Sequence, residues 1–333
     1  MPSRSTLVWK VAVPIACLAA GAIGGYRLHE ARAQPAGATE NREGGHRFVN
    51  PLLECDRGGD LVQSDELTPF REKVEAHLRT LRYPGVESVA VYFRELNDGV
   101  WFSIGDSERF APASLRKIPM MIALLKQSER APELLLRKVR FDLQNDHTAQ
   151  QSIKPSVQLV RGEEYPIAEL IRRMIVYSDN NAFMLLSRQV DPAELDRTYA
   201  KLDARSGAEV TRDFLSVYTY AAFFRVLYNA SYLGAQLSEW ALATLADSEF
   251  KSGIVAGVPP GVPVAHKFGE QRDLASGKVQ LHDCGIVYAP EHPYLLCVMT
   301  RGSAFEYLDE AIASTSRTVF AEVVGQHRLH ADR

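Results

Sequence analysis

Two kinds of apolar pattern run along this chain, and their order predicts the fold. In residues 66–82, Phe70, Val74, Leu78 and Leu81 recur at near-helical spacing, and Pro84-Gly85 ends the run. Residues 86–95 alternate as a half-buried strand does. Asn97-Asp98-Gly99 is a hairpin turn signal, with residues 100–104 as the returning strand. From Pro112 to about Val255 helical patterns dominate; Ile167, Leu170, Ile171, Met174 and Ile175 form one apolar face. Strands are then predicted at 262–268, 279–288 and 294–300, and a final helix over 307–326. Strands at both ends with helices between predict an α+β fold. One antiparallel sheet assembles from the two termini, flanked by helices, and the central helices form an all-helical lobe.

The N-terminus follows another pattern. Arg4 and Lys10 flank the start of an apolar stretch, 11–25, and Ala31-Arg32-Ala33 offers a small-x-small cleavage site before Gln34. Residues 1–33 therefore read as a signal peptide or an N-terminal membrane anchor. The charged spacer 26–30 argues against cleavage, and both forms stay open. Either way the domain is expected outside the cytoplasm, periplasmic or held on the membrane by an uncleaved segment. Residues 34–47 are polar and rich in Gly and Ala, the composition of a flexible linker, and 48–333 read as one domain.

Composition narrows the class. The 333 residues are 46% hydrophobic and 24% charged, with a net charge of −3 and no basic run interleaved with aromatics. That excludes a nucleic-acid binder. There is no H-x-H and no H-E-x-x-H, and His266, His282 and His292 are scattered, so neither a metal nor another cofactor is expected. A monomer is expected. Cys17 follows Pro14-Ile15-Ala16, where a lipoprotein site would want Leu at the position Pro14 holds. Cys284 and Cys297 lie on two strands of one hairpin. With Tyr288 opposite Tyr294 they would point to opposite faces, so buried free thiols are expected rather than a disulfide.

Three short motifs carry chemistry. Ser114-Leu115-Arg116-Lys117 is an S-x-x-K that follows Ala111-Pro112-Ala113, a helix-start signal, and precedes an apolar run, 118–125. At i, i+3 the Lys117 amine lies beside the Ser114 hydroxyl, and burial would lower its pKa and make it a base. At a first turn the Ser114 N–H is free to bind an oxyanion. A second S-x-x-K, Ser248-Glu249-Phe250-Lys251, lacks the apolar run and reads as a helix C-terminus. Ser178-Asp179-Asn180 ends an amphipathic helix, where Ser178 can relay a proton and Asn180 can grip a substrate amide. Lys267-Phe268-Gly269 on a strand supplies fixed positive charge and, at Gly269, room for close approach. Each motif alone is more often a surface pair or a turn. The three in this order, each at an element boundary, point to an active-site serine.

The order S-x-x-K, S-D-N, K-x-G resembles class A β-lactamases and the penicillin-binding DD-peptidases. Pro119, Asn181-Ala182 and the closing helix extend the likeness from about Phe48 to the C-terminus. The resemblance implies a site between sheet and helical lobe. In it Ser114 is the nucleophile, Lys117 its base, Ser178 the proton relay to the leaving nitrogen, and Asn180 the acyl-side amide contact. Lys267 would orient Ser178 and a substrate carboxylate, and the N–H groups of Ser114 and Glu270 would form the oxyanion hole. Two departures qualify it, one at the third motif and one in a loop. Phe268 stands where the family has a hydroxyl residue, and Glu270 adds a negative charge. The loop 203–214 also lacks an E-x-x-L-N deacylation motif; Glu209 is its only glutamate. The expected function is an exported acyl-serine hydrolase acting on a small-molecule or peptidoglycan-peptide amide or ester. The alternatives are a true β-lactamase and a catalytically idle envelope binding protein.

Overall fold

The computed structural model describes residues 40–55, 63–81, 85–149, 151–203 and 214–331. The expected signal or anchor segment, residues 34–39 of the expected linker and residues 204–213 of the loop around Glu209 lie outside them.

Five strands form the sheet, in the order β4–β3–β9–β8–β7 and antiparallel throughout: β3 Val86–Glu95, β4 Trp101–Ile104, β7 Val264–Arg272, β8 Val279–Val287 and β9 Tyr294–Gly302. The N-terminal hairpin joins the C-terminal strands through β3 and β9, with Val91 opposite Val298. One face packs on α1 (Thr68–Thr80) and α8 (Phe305–Ala331) around Phe70, Val74, Phe93, Phe102, Leu308 and Ile312. The other face packs on the helical lobe: α2 (Lys117–Ser128), α3 (Ile167–Val176), α4 (Asn180–Ser187), α5 (Pro192–Asp203), α6 (Val217–Tyr228) and α7 (Ala235–Ala246). Helix α2 is apolar all round, and Ile118 to Leu125 are all buried, so it runs through the core of that lobe rather than over it. The lysine opening this helix is thereby carried out of water.

Three expectations need correction. Residues 40–47 are not all linker: β1 (Glu40–Arg42) pairs with β2 (Leu52–Cys55), and Arg42 donates to Asn50 O and Asn229 Oδ1. Glu239 then receives the N–H groups of Phe48 and Val49, which fastens this segment to α7. Within the central region a short hairpin, β5 (Lys138–Arg140) with β6 (Glu164–Pro166), interrupts the helices. At three residues a strand it carries no readable periodicity. Finally, Cys284 and Cys297 form a disulfide. The β8–β9 register places Val287, not Tyr288, opposite Tyr294, which sets the two cysteines face to face. Tyr288 has left the hairpin: its N–H pairs with Pro263 O and its hydroxyl with Phe48 O. A shift of one residue moves every side chain to the other face.

Among the described residues, no helix is long and apolar enough to cross a membrane.

Candidate active site

Strand β7 is an edge of the sheet, and a 3₁₀ turn, Ala113–Arg116, lies against it before running into α2. Such a turn stacks residues i and i+3, so Ser114 and Lys117 share one face. Ala113, just before the serine, has φ +50°, a left-handed backbone costing ~1–3 kcal/mol that only the surrounding structure can hold. That support is visible. Phe110 exchanges two backbone hydrogen bonds with Leu215, Gln280 receives the Ala111 N–H, and His282 Nε2 donates to Ala111 O at 3.0 Å. His282 Nδ1 accepts the Thr300 N–H, which fixes the tautomer, and burial pushes the imidazole down to about 4, so it stays neutral. Sequence reading missed His282. Its contact is 171 residues away in the chain, and a lone histidine in a strand gives no signal.

Gly269 is the close approach that the sequence suggested, but to a different neighbour. A Cβ there would stand 2.9 Å from Pro112 O and 3.2 Å from Leu115 N, so the missing side chain lets β7 close on the turn carrying Ser114. Phe268 is buried, stacks on Phe250 at 4.2 Å in the core on the α1 and α8 side of the sheet, and holds its ring against Lys267 Nζ, 3.9 Å from the ring centre. It offers the cleft no side chain.

The second motif forms a helix–turn–helix junction. Helix α3 ends at Val176, Ser178 turns left-handed with φ +54°, and Asp179 caps α4 by accepting the N–H groups of Asn181 and Ala182. Ser178 is thereby held against two lysines. Lys117 Nζ donates to Ser178 O at 2.6 Å, Asn180 Oδ1 at 2.7 Å and Ser178 Oγ at 3.1 Å. Lys267 Nζ donates to Ser178 Oγ at 3.0 Å and Phe268 O at 2.9 Å. Lys117 is 2% exposed and Lys267 is fully buried. Desolvation, then the neighbouring Lys267 charge, holds the Lys117 amine well below the ordinary lysine range. Desolvation brings Lys267 down to about 7, against the opposing pull of Asp283 and Glu270.

These groups open into a cleft of about 780 Å³, lined by Ser114, Lys117, Asn180 and Glu270 and also by His147, Gln151, Phe183 and Met184. Among the described residues nothing hydrogen-bonds the Ser114 hydroxyl, which leaves it available to a substrate. Gln151, unanticipated from sequence, donates to Ser178 O at 3.0 Å and accepts the Asn180 N–H. The second S-x-x-K is no site: Ser248 is buried just past the end of α7, and Lys251 is exposed.

Ser114, Lys117, Asn180 and Glu270 thus line one cleft, with Ser178 and Lys267 buried directly behind them and Gly269 closing β7 on the turn that carries Ser114. The arrangement can accept a proton from a serine and deliver one to a departing group. Comparison with known proteins agrees with this architecture. Solved structures with the same fold include PBP-A (20% identity, TM-score 0.63, covering 77% of this chain and 96% of that one). The TLA-3 extended-spectrum β-lactamase is also similar (16%, TM-score 0.65, 76% and 99%), as is the β-lactamase of Sphaerobacter thermophilus (21%, TM-score 0.63, 76% and 97%). One solved PBP-A variant is an acyl-enzyme complex with penicillin G. No curated protein matches the chain. A model of the β-lactamase enzyme family matches residues 69–323, which span both strand groups, the helical lobe and all three motifs; the chain therefore belongs to the β-lactamase enzyme family, serine hydrolases that work through an acyl-enzyme.

Proposed function

We propose that this protein is an exported acyl-serine hydrolase that cleaves an amide or ester of the peptidoglycan-peptide type through an acyl-enzyme on Ser114. One observation carries the reading. The Lys117 amine is buried, depressed in pKa and bonded to Ser178 and Asn180, next to a serine whose hydroxyl is unoccupied. Neutral Lys117, its two N–H groups donated to Ser178 O and Asn180 Oδ1, takes the Ser114 proton on its lone pair as Oγ attacks the carbonyl carbon. The third N–H so formed is the one that reaches Ser178 Oγ. The N–H groups of Ser114 and Glu270 receive the developing oxyanion. As the tetrahedral centre collapses, the bond to the leaving nitrogen or oxygen breaks. The proton returns from Lys117 through Ser178 Oγ to that atom, with Lys267 holding Ser178 in place. Asn180 contacts the acyl-side amide. Water then attacks the Ser114 ester, releases the acid and restores the serine.

A catalytically idle binding role is the weaker reading, because a binder has no use for a desolvated base lining the same cleft as an available serine hydroxyl. The test is intact-protein mass spectrometry with an active-site-directed acylating probe. Ser114→Ala is expected to abolish labelling and retain the fold, and Ser248→Ala to leave labelling unchanged. Undiminished labelling of the Ser114→Ala protein would discard the assignment.

A further inference from the structure

Glu270 directly follows the Lys267-Phe268-Gly269 run, and its side chain lines the cleft beside Ser114 and Lys117. Oε1 accepts the Ile153 N–H at 2.9 Å, a bond that crosses from β7 to the segment between β5 and β6. Oε2 is buried and has no hydrogen-bond donor among the described residues. Gln151 locates this carboxylate along the cleft, because its Nε2 donates both to Ser178 O and to Ile153 O. The Ile153–Glu270 bridge therefore stands on the Ser178 side, where the leaving group departs.

The nearby cations are otherwise placed. Lys267 is engaged beneath with Ser178 Oγ and Phe268 O, and Lys117 with Ser178 and Asn180. Arg116 reaches Ala113 O, Arg272 lies over the Phe305 ring, and both are exposed at the rim. Phe268 contributes no hydroxyl to this side. A buried carboxylate oxygen without a donor is costly.

We infer that Glu270 selects the leaving side of the substrate: the site takes a nitrogen donor there, an ammonium or a primary amide, and rejects a carboxylate. The inference rests on Ser114 being the nucleophile and names what that site recognises. The Glu270 charge would attract an ammonium and leave a neutral amide unopposed, whereas a carboxylate would face a second carboxylate in a partly desolvated cleft.

The experiment uses three matched acyl thioesters whose leaving thiol bears a carboxylate, a carboxamide or an ammonium, with Ser114 acylation followed by intact-protein mass spectrometry. The wild-type protein is expected to react about tenfold or more faster with the ammonium and carboxamide probes than with the carboxylate probe, since each ~1.4 kcal/mol of discrimination is a factor of ten. Glu270→Gln keeps an acceptor for Ile153 N–H but removes the charge, so the ammonium-to-carboxylate rate ratio should fall about tenfold or more. Glu270→Ala should lower the same ratio, and Glu270→Gln decides the matter if the alanine variant does not fold. A wild-type preference for the carboxylate probe overturns the inference. So does a Glu270→Gln protein in which all three rates change by one common factor. In both cases labelled Ser114 leaves the nucleophile assignment standing; failure of every probe to label Ser114 removes both.

Discussion

Two buried amines within hydrogen-bond reach of one hydroxyl, Ser178 Oγ, raise the question of which of them carries charge. Burial, then the neighbouring Lys267 charge, holds Lys117 well below the ordinary lysine range, and its place at i+3 from Ser114 makes it the neutral base. Lys267, at about 7, is the cation that must be kept in place. The sign of its effect on stability follows. Between about 7 and 10.5 the unfolded chain holds a proton on this lysine that the folded chain has lost, so the contribution of Lys267 to stability rises with pH across that window. Keeping a fully buried amine protonated costs stability that a neutral side chain of similar length does not. Lys267→Met is therefore expected to be more stable than wild type below about pH 7, by an amount that shrinks toward pH 10.5, while acylation falls ~10²-fold. Urea midpoints at the two ends of the window, with acylation rates, check it; an equal gain at both ends would mean that Lys267 does not titrate there. At this scale the motifs were legible because each is local. Gln151, His282 and the bond from Glu270 to Ile153 were not, because each gains its meaning from a partner supplied by another element.

At the scale of elements, the site depends on how closely an edge strand meets a 3₁₀ turn. Gly269→Ala places a methyl 2.9 Å from a backbone oxygen that cannot swing aside, so β7 and the turn must separate. The expected outcome is a loss of ~1–3 kcal/mol, with acylation reduced more than stability alone explains, because the two N–H groups proposed for the oxyanion ride on the separated elements. Thermal melts alongside acylation rates measure both; wild-type acylation in the variant would show that the approach is not needed. Element positions were largely readable. The expected strand 86–95 is β3 as found, and the apolar face Ile167, Leu170, Ile171, Met174 and Ile175 is buried as α3. The β8–β9 register was not readable, because the departure of Tyr288 toward Pro263 and Phe48 is decided by distant partners, and the parity of one residue decides whether Cys284 meets Cys297.

At the scale of the whole molecule, acylation and deacylation need different parts. The acylation set is assembled. Among the described residues lining the cleft the one carboxylate is Glu270, whose Oε1 is bonded to Ile153 N–H and whose Oε2 is buried out of reach of a water in the cleft. Loss of a general base typically costs ~10²–10⁴-fold in rate. A β-lactam that reacts is thus expected to do so slowly and to leave a long-lived acyl-enzyme with negligible turnover. Timed mass spectrometry beside steady-state hydrolysis of a chromogenic cephalosporin checks this. Efficient hydrolysis with no detectable acyl-enzyme would require another base, with Glu209, outside the described residues, first to test. Export is the second proposal at this scale. The apolar stretch 11–25 motivates it, and the Cys284–Cys297 disulfide suits an oxidising compartment. A periplasm-dependent reporter fused after Phe48 should be active, and one lacking residues 1–33 inactive; equal activity of the two would contradict export.

The sequence by itself determined the long helices and strands, their order and the three motifs, since periodicity, turn residues and i, i+3 spacing are properties of neighbouring positions. The short pairs β1–β2 and β5–β6 left no such trace. The sequence also placed Lys117 at the head of an apolar run, 118–125; that the lysine itself leaves water follows from the packing of that helix inside the lobe. Tertiary structure alone decided which way Phe268 faces, what Gly269 makes room for, which cysteine meets which, and where the Glu270 carboxylate reaches. Each of these depends on strand parity or on contact between segments far apart in the chain, and a one-residue change in packing register reverses the answer without altering any local pattern.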